Sequence, residues 1–185
     1  MKAWKHFCTI TKHRMSVCSI CFKMGLYKQG LMHDLSKYSP SEFIPGAKYF
    51  VGYRSPNDLQ RQAEGYSTAW LHHKGRNLHH FEYWTDYQID ESGRPDVRPV
   101  RMPVKYVAEM FADRIAACKT YKKDEYTIDD PLAYFMRGKH RANYMHADTE
   151  ALLEHLLTKL STDGEDATCK YIKTRVLKEG YDILK

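Results

Sequence analysis

Apolar side chains recur along this chain at three- and four-residue steps, the period of helices with one buried face. Over residues 3–24 the steps run through Trp4, Phe7, Cys8, Thr11, Met15, Cys18 and Phe22, which predicts one helix buried along that stripe and stopped by Gly25. A second, short helical segment is expected over 26–35, ending near Lys37. Ser39-Pro40-Ser41-Glu42 then reads as a cap with proline in the first turn. Residues 45–59 carry Gly46, Gly52, Pro56 and Asn57 and read as irregular. The helical period returns from about Asp58 through Trp70 to His73, breaks at Gly75 and Asn77, and resumes in the aromatic stretch 78–87. Between 87 and 100, Glu91-Ser92-Gly93-Arg94 separates two short extended runs, the mark of a small hairpin or a long loop. A strong helix is expected from Pro103 to Tyr121 through Val104, Val107, Phe111, Ile115 and Cys118. Asp130-Pro131 opens another, and 152–160 and 169–184 supply the last two. The expected fold class is all-α, a helical bundle with at most one short β-hairpin around 87–100.

A length of 185 residues suits one domain covering the whole chain. With 43% hydrophobic and 13% aromatic residues the chain is not of the disordered class. The net charge of +6 favours anionic ligands such as phosphate esters, and permits nucleic acid, although no nucleic-acid-binding motif is legible. The five cysteines, Cys8, Cys18, Cys21, Cys118 and Cys169, are an odd number in a chain too large to need disulfide staples, so reduced thiols are expected. Cys18 and Cys21 form a lone C-x-x-C inside a helical pattern and read as small buried apolar residues. No stretch approaches 18 apolar residues and the N-terminus does not resemble a signal peptide; a cytoplasmic protein without a membrane partner is expected. Oligomeric state is left open.

Histidine placement changes this picture most. His33-Asp34 ends the second helical segment, His13 lies 20 residues before it, and His72-His73 and His79-His80 flank the break at Gly75. Adjacent residues on a helix point about 100° apart, so one ion can take both members of His33-Asp34 only near a helix end. Asp113 interrupts an apolar helical face among Glu109, Met110, Ala116 and Ala117, where a carboxylate needs a partner: an ion, Arg114 or a distant lysine. Mixed imidazole and carboxylate ligands suit manganese, iron, cobalt, nickel or zinc. Such ions activate water for attack on phosphate esters. His140, His146 and His155, with Arg137, Lys139 and Arg141, read instead as parts of exposed helix faces. Trp70, Tyr83 and Trp84 read as core.

The order histidine, His-Asp pair, further histidines and distal aspartate resembles the HD superfamily of metal-dependent phosphohydrolases over residues 6–118. Gly30-Leu31-Met32-His33-Asp34-Leu35-Ser36-Lys37 and Ala112-Asp113-Arg114-Ile115 are similar to that superfamily's local segments. The whole chain also looks like a bacterial and phage family of HD-like proteins. The resemblance implies one ion on His13, His33, Asp34 and Asp113, with His6 a rival first ligand. It implies a second ion bridged by Asp34 and held by two of the middle histidines, either His73 with His80 or His72 with His79. Asp34, Lys37, Lys74 and Asn77 become the expected catalytic residues, and Lys37, Lys74, Arg76 and Asn77 the expected phosphate contacts. The expected substrate is a phosphorylated small molecule or nucleotide. Two other readings use the same residues: a di-iron oxygenase, and a metal-stabilised helical module that binds nucleic acid or a protein partner.

Overall fold

The first helix, α1 (Lys2–Lys23), buries His6, Ile10, His13, Val17, Ile20 and Cys21. This is not the apolar stripe expected from the sequence, whose members Trp4, Met15 and Phe22 stand exposed. The buried stripe keeps the three- and four-residue period, but two of its positions are histidines, which a count of apolar residues passes over. The exposed aromatics pair among themselves, Trp4 stacking on Phe7 with ring centroids 5.6 Å apart. The computed structural model describes residues 1–89, 91–139 and 145–185. His140 and Arg141, expected on an exposed helix face, lie outside these.

Gly25, at φ +79°, turns the chain out of α1. A short α2 (Tyr27–Met32) follows, then a single 3-10 turn (Leu35–Tyr38) and α3 (Pro40–Lys48). α3 continues through Pro45 and Gly46, where irregular chain was expected; a proline in the second turn removes only one rung of the hydrogen-bond ladder. The helix expected over 58–73 is two helices, α4 (Pro56–Glu64) and α5 (Thr68–Lys74). Gly65 ends α4 at φ +81°, and the Ser67 hydroxyl caps α5 by accepting the Trp70 N–H at 3.1 Å. The aromatic stretch 78–87 does not resume a helix. It makes one 3-10 turn (Phe81–Tyr83) and enters an antiparallel hairpin of β1 (Thr85–Ile89) and β2 (Pro95–Pro99), paired from Thr85↔Pro99 to Ile89↔Pro95.

The central element is α6 (Val104–Lys122), which packs along α1 and buries Val107, Ala108, Met110, Phe111, Ala112, Ile115 and Ala116. α7 (Asp130–Lys139), α8 (Ala147–Asp163) and α9 (Glu165–Tyr171) complete the bundle, and a π-helical stretch (Ile172–Val176) carries α9 towards the C-terminus. Leu152, Leu153, Leu156, Leu157 and Leu160 of α8 are wholly buried against α6 and α9, each contributing about 1.5–3 kcal/mol relative to an exposed side chain. The fold is therefore all-α with one short hairpin. Among the described residues no helix is long and apolar enough to cross a membrane.

Candidate metal centre

Four segments converge beside the apolar core: α1, the junction of α2 with the 3-10 turn, the end of α5 with the turn after it, and α6. The junction is His33-Asp34. His33 leaves the helix with extended torsions (φ −50°, ψ 127°), and Asp34 takes a left-handed conformation (φ 54°, ψ 23°). A regular helix would splay these neighbours apart; this break turns both inward, in a conformation aspartate tolerates better than most residues. Arg14 of α1 clamps the break, its Nε donating to the His33 carbonyl at 2.7 Å and Nη2 to that of Leu31 at 3.1 Å. Those carbonyls belong to the unpaired end of α2.

Asp34 is buried at 1% exposure, and its two oxygens face different groups. Oδ2 lies 3.6 Å from His13 Nε2 and 3.3 Å from His33 Nε2, while Asp113 Oδ1 lies 2.9 Å from the same His13 nitrogen. Oδ1 lies 3.2 Å from His73 Nε2 and 3.5 Å from His79 Nε2, with His80 Nε2 a further 2.9 Å from His73 Nε2. Within each set, His13-His33-Asp34-Asp113 and Asp34-His73-His79-His80, the ligand atoms lie inside 4.8 Å of one another. His13 Nε2, His33 Nε2, His79 Nε2 and Asp34 Oδ1 are buried without a hydrogen-bond partner. Buried polar atoms are rarely orphaned, and four converging on one place fit a cation.

The opposite ring nitrogens are engaged. Glu109 Oε1 lies 2.9 Å from His33 Nδ1 and 3.2 Å from His79 Nδ1, and Glu42 Oε2 lies 2.7 Å from His73 Nδ1. A carboxylate at Nδ1 places the proton there and leaves the Nε2 lone pair free to point inward, the arrangement that orients metal-binding imidazoles.

Electrostatics follow this layout. Burial opposes ionisation of Asp34, but His33, Lys37 and His73 outweigh it and hold the carboxyl well below the usual range. Burial likewise opposes ionisation of Asp113, which His13 and His33 hold low. Burial and the neighbouring His79 and His73 rings push His80 well below the ordinary imidazole value, so its ring is neutral. Burial would also lower His33, but Asp34, Asp113 and Glu109 raise it; without a bound cation this ring carries the charge that balances the carboxylates.

Residues 2–159 match a family of unknown function, DUF5662. The chain belongs to DUF5662. No curated protein matches it. Nor does any solved structure. The span shared with DUF5662 contains every residue of the centre, from His13 to Asp113.

In this DUF5662 member His13, not His6, joins the cluster. His6 lies two turns earlier between Phe43 and Phe50, at 5.3 and 5.5 Å. Of the middle histidines, His73 and His80, one of the expected pairs, both reach it and His79 joins them, whereas of the other pair His72 does not. α5 stops at Lys74, and the turn after it returns two adjacent histidines rather than one residue a helical period away. His72 points elsewhere, its Nδ1 2.6 Å from Glu42 Oε1. Lys37 sits with Nζ 2.5 Å from Asp34 Oδ2. Asn77 lies against His73: its amide donates to Ser36 Oγ and to the His73 carbonyl, both at 2.8 Å, fixing the turn that presents His79. Arg76 is exposed and Lys74 half-buried, and the Arg76 backbone N–H donates to the His73 carbonyl at 3.1 Å. Glu109, Glu42 and Arg14 were missed as site residues. Glu109 was accessible in principle, since it and Asp113 are an i, i+4 carboxylate pair on an otherwise apolar helix. Glu42 gave no signal, because three residues after Ser39 it imitates a capping residue. The Ser39 side chain makes no cap bond, and the Glu42 carboxylate goes to the histidines instead.

Proposed function

We propose that this protein is a metal-dependent phosphohydrolase of the HD type, acting through two divalent transition-metal ions bridged by Asp34. The observation that carries the reading is the division of one buried carboxylate between two separate ligand sets, with the unpartnered nitrogens of both aimed at the space between. His13, His33 and Asp113 would hold one ion, and His73, His79 and His80 the other. Ions so held polarise a phosphoryl oxygen and lower the pKa of water, the chemistry that phosphoester hydrolysis requires.

The chain's own residues have distinct tasks in this reading. Glu109 and Glu42 keep three imidazoles in the tautomer that presents Nε2. Lys37 holds the bridging carboxylate and is the cation nearest to meet an incoming phosphate oxygen. Burial of Asp34, His33 and His79 at 1–2% exposure keeps bulk water from competing for the ligand atoms.

Metal analysis of the purified protein tests this. About two ions per chain are expected in the wild type, none in Asp34→Ala and one in His73→Ala, alongside metal-dependent phosphate release that Asp34→Ala abolishes. Protein that takes up no stoichiometric manganese, iron, cobalt, nickel or zinc would exclude the centre. A loaded protein inert on a broad phosphoester panel would exclude the hydrolase.

A further inference from the structure

One face of α1 is apolar and lies uncovered among the described residues. Trp4 is 69% exposed and Met15 66%, and Phe7 and Phe22 stand exposed with them. At 100° per residue these four fall within roughly 80° of one another and span about 27 Å of the helix, opposite its buried stripe. The segment laid alongside continues the surface. Phe22 meets Tyr27 edge to face at 5.2 Å and Phe7 meets Tyr38 at 5.7 Å, while Leu31 and Met32 at the end of α2 are exposed. Single exposed apolar side chains are ordinary, but a continuous run of them marks an interaction surface.

The charge of the chain is gathered on the same segment. From Met1 to Tyr38, through α1, α2 and the 3-10 turn, there are seven basic side chains and one acidic one, Asp34. The rest of the chain holds 22 of each sign, so the whole net charge of +6 lies here. Three of the seven are committed inside the fold. Arg14 clamps the end of α2, Lys37 holds Asp34, and Lys23 pairs with Glu165 and Asp166. Lys2, Lys5, Lys12 and Lys28 are exposed, and among the described residues no carboxylate pairs with them. Lys5 and Lys12, seven residues apart, run along one edge of the apolar stripe.

We propose that this face of α1 and α2 is a peripheral docking surface for a bilayer containing anionic phospholipid. An apolar stripe of Trp, Phe and Met edged by lysines without counter-charge matches such an interface. The apolar groups enter the acyl boundary, and the ammonium groups meet the headgroup anions above it. Trp4 suits that depth, with an apolar body and one N–H. A second copy of the chain would bury the stripe equally well, but it would bring the same unpaired lysines and no acid to meet them. Charge therefore selects the lipid. The sequence-based expectation of no membrane partner rested on the absence of a spanning run, and a helix lying in the interface needs none. His6 and His13 lie on the opposite, buried face of α1, so changes on this one leave the ligand cluster untouched.

Sedimentation of the full chain with phosphatidylcholine vesicles, with and without phosphatidylserine, tests the assignment. Wild type should pellet with the phosphatidylserine vesicles, only weakly with phosphatidylcholine alone, and less as salt is raised. Trp4→Ser combined with Met15→Gln removes apolar area, and Lys5→Gln combined with Lys12→Gln removes charge. Each double variant should bind the anionic vesicles about tenfold or more weakly, with circular dichroism and metal content as in wild type. Should one of them not fold, the other decides. No pelleting with phosphatidylserine vesicles at low salt, or undiminished binding in a folded double variant, would overturn the proposal. So would a wild-type dimer in sedimentation equilibrium that the Trp4→Ser, Met15→Gln variant dissolves, which would give the face to a second copy.

Discussion

Glu109 accepts from two imidazoles that belong to different ligand sets, so its charge sets the basicity of His33 and His79 together. Glu109→Gln keeps the volume and one acceptor oxygen but loses that charge. Metal affinity should fall about 10–100-fold, as it does when carboxylates behind metal-binding histidines are removed, and chelator competition measures it. Unchanged affinity would mean that the Nε2 atoms are aimed by packing alone. At this scale the sequence was informative where chemistry resides in residue type and order. His13, His33-Asp34 and Asp113 could be named because imidazoles and a carboxylate in apolar surroundings need a partner. The supporting residues were harder to read. Glu42 and Arg14 look like a helix start and a surface base until the fold brings His73 and the end of α2 against them.

Helices in this protein meet closely where side chains are absent. A methyl group at Gly46 of α3 would lie 2.4 Å from Nε2 and 2.9 Å from Cε1 of the buried His6 ring on α1. Gly46→Ala should therefore destabilise the fold by about 1–3 kcal/mol, although alanine is the better helix former by about 1 kcal/mol. Urea midpoints at unchanged slope report the loss. In a His6→Ala background the clash is gone, so the same substitution should become neutral or stabilising; equal costs in both backgrounds would show that His6 is not the obstacle. Element positions were legible from period and punctuation for α1, α6 and α8, whose apolar spacing is long and regular. The face of α1 was not, because two of its buried positions are histidines, His13 turned to the carboxylates of the centre and His6 packed between Phe43 and Phe50. Nor was the division of α4 from α5, which depends on the left-handed turn at Gly65 and the Ser67 cap.

Across the whole molecule, one carboxylate ties together elements distant in sequence. Glu165, at the start of α9, lies 2.7 Å from Lys23 at the end of α1 and 2.6 Å from Lys119 near the end of α6. Burial opposes its ionisation, but Lys119 and Lys23 outweigh that and depress its pKa. A carboxylate with a depressed folded-state value adds stability that is complete above its unfolded value of about 4.3 and is lost as pH falls through the folded one. Both lysines are partly exposed, so the contribution is modest, about 1 kcal/mol. Glu165→Gln should lower the urea midpoint at pH 7 and converge with wild type as the medium is acidified below about pH 4; a gap independent of pH would assign the loss to packing.

The turn that returns His79 and His80 beside His73 has a consequence for how the protein is made. In the unfolded chain His72, His73, His79 and His80 remain within nine positions of one another, a ready chelator for any borderline metal, whereas Asp113 is synthesised 100 residues after His13. If the folded protein holds the two proposed ions, metal captured by the unfolded chain offsets part of what they contribute. Refolding should therefore be most efficient when the ion is added after α6 has docked, and excess metal present from the start should slow it.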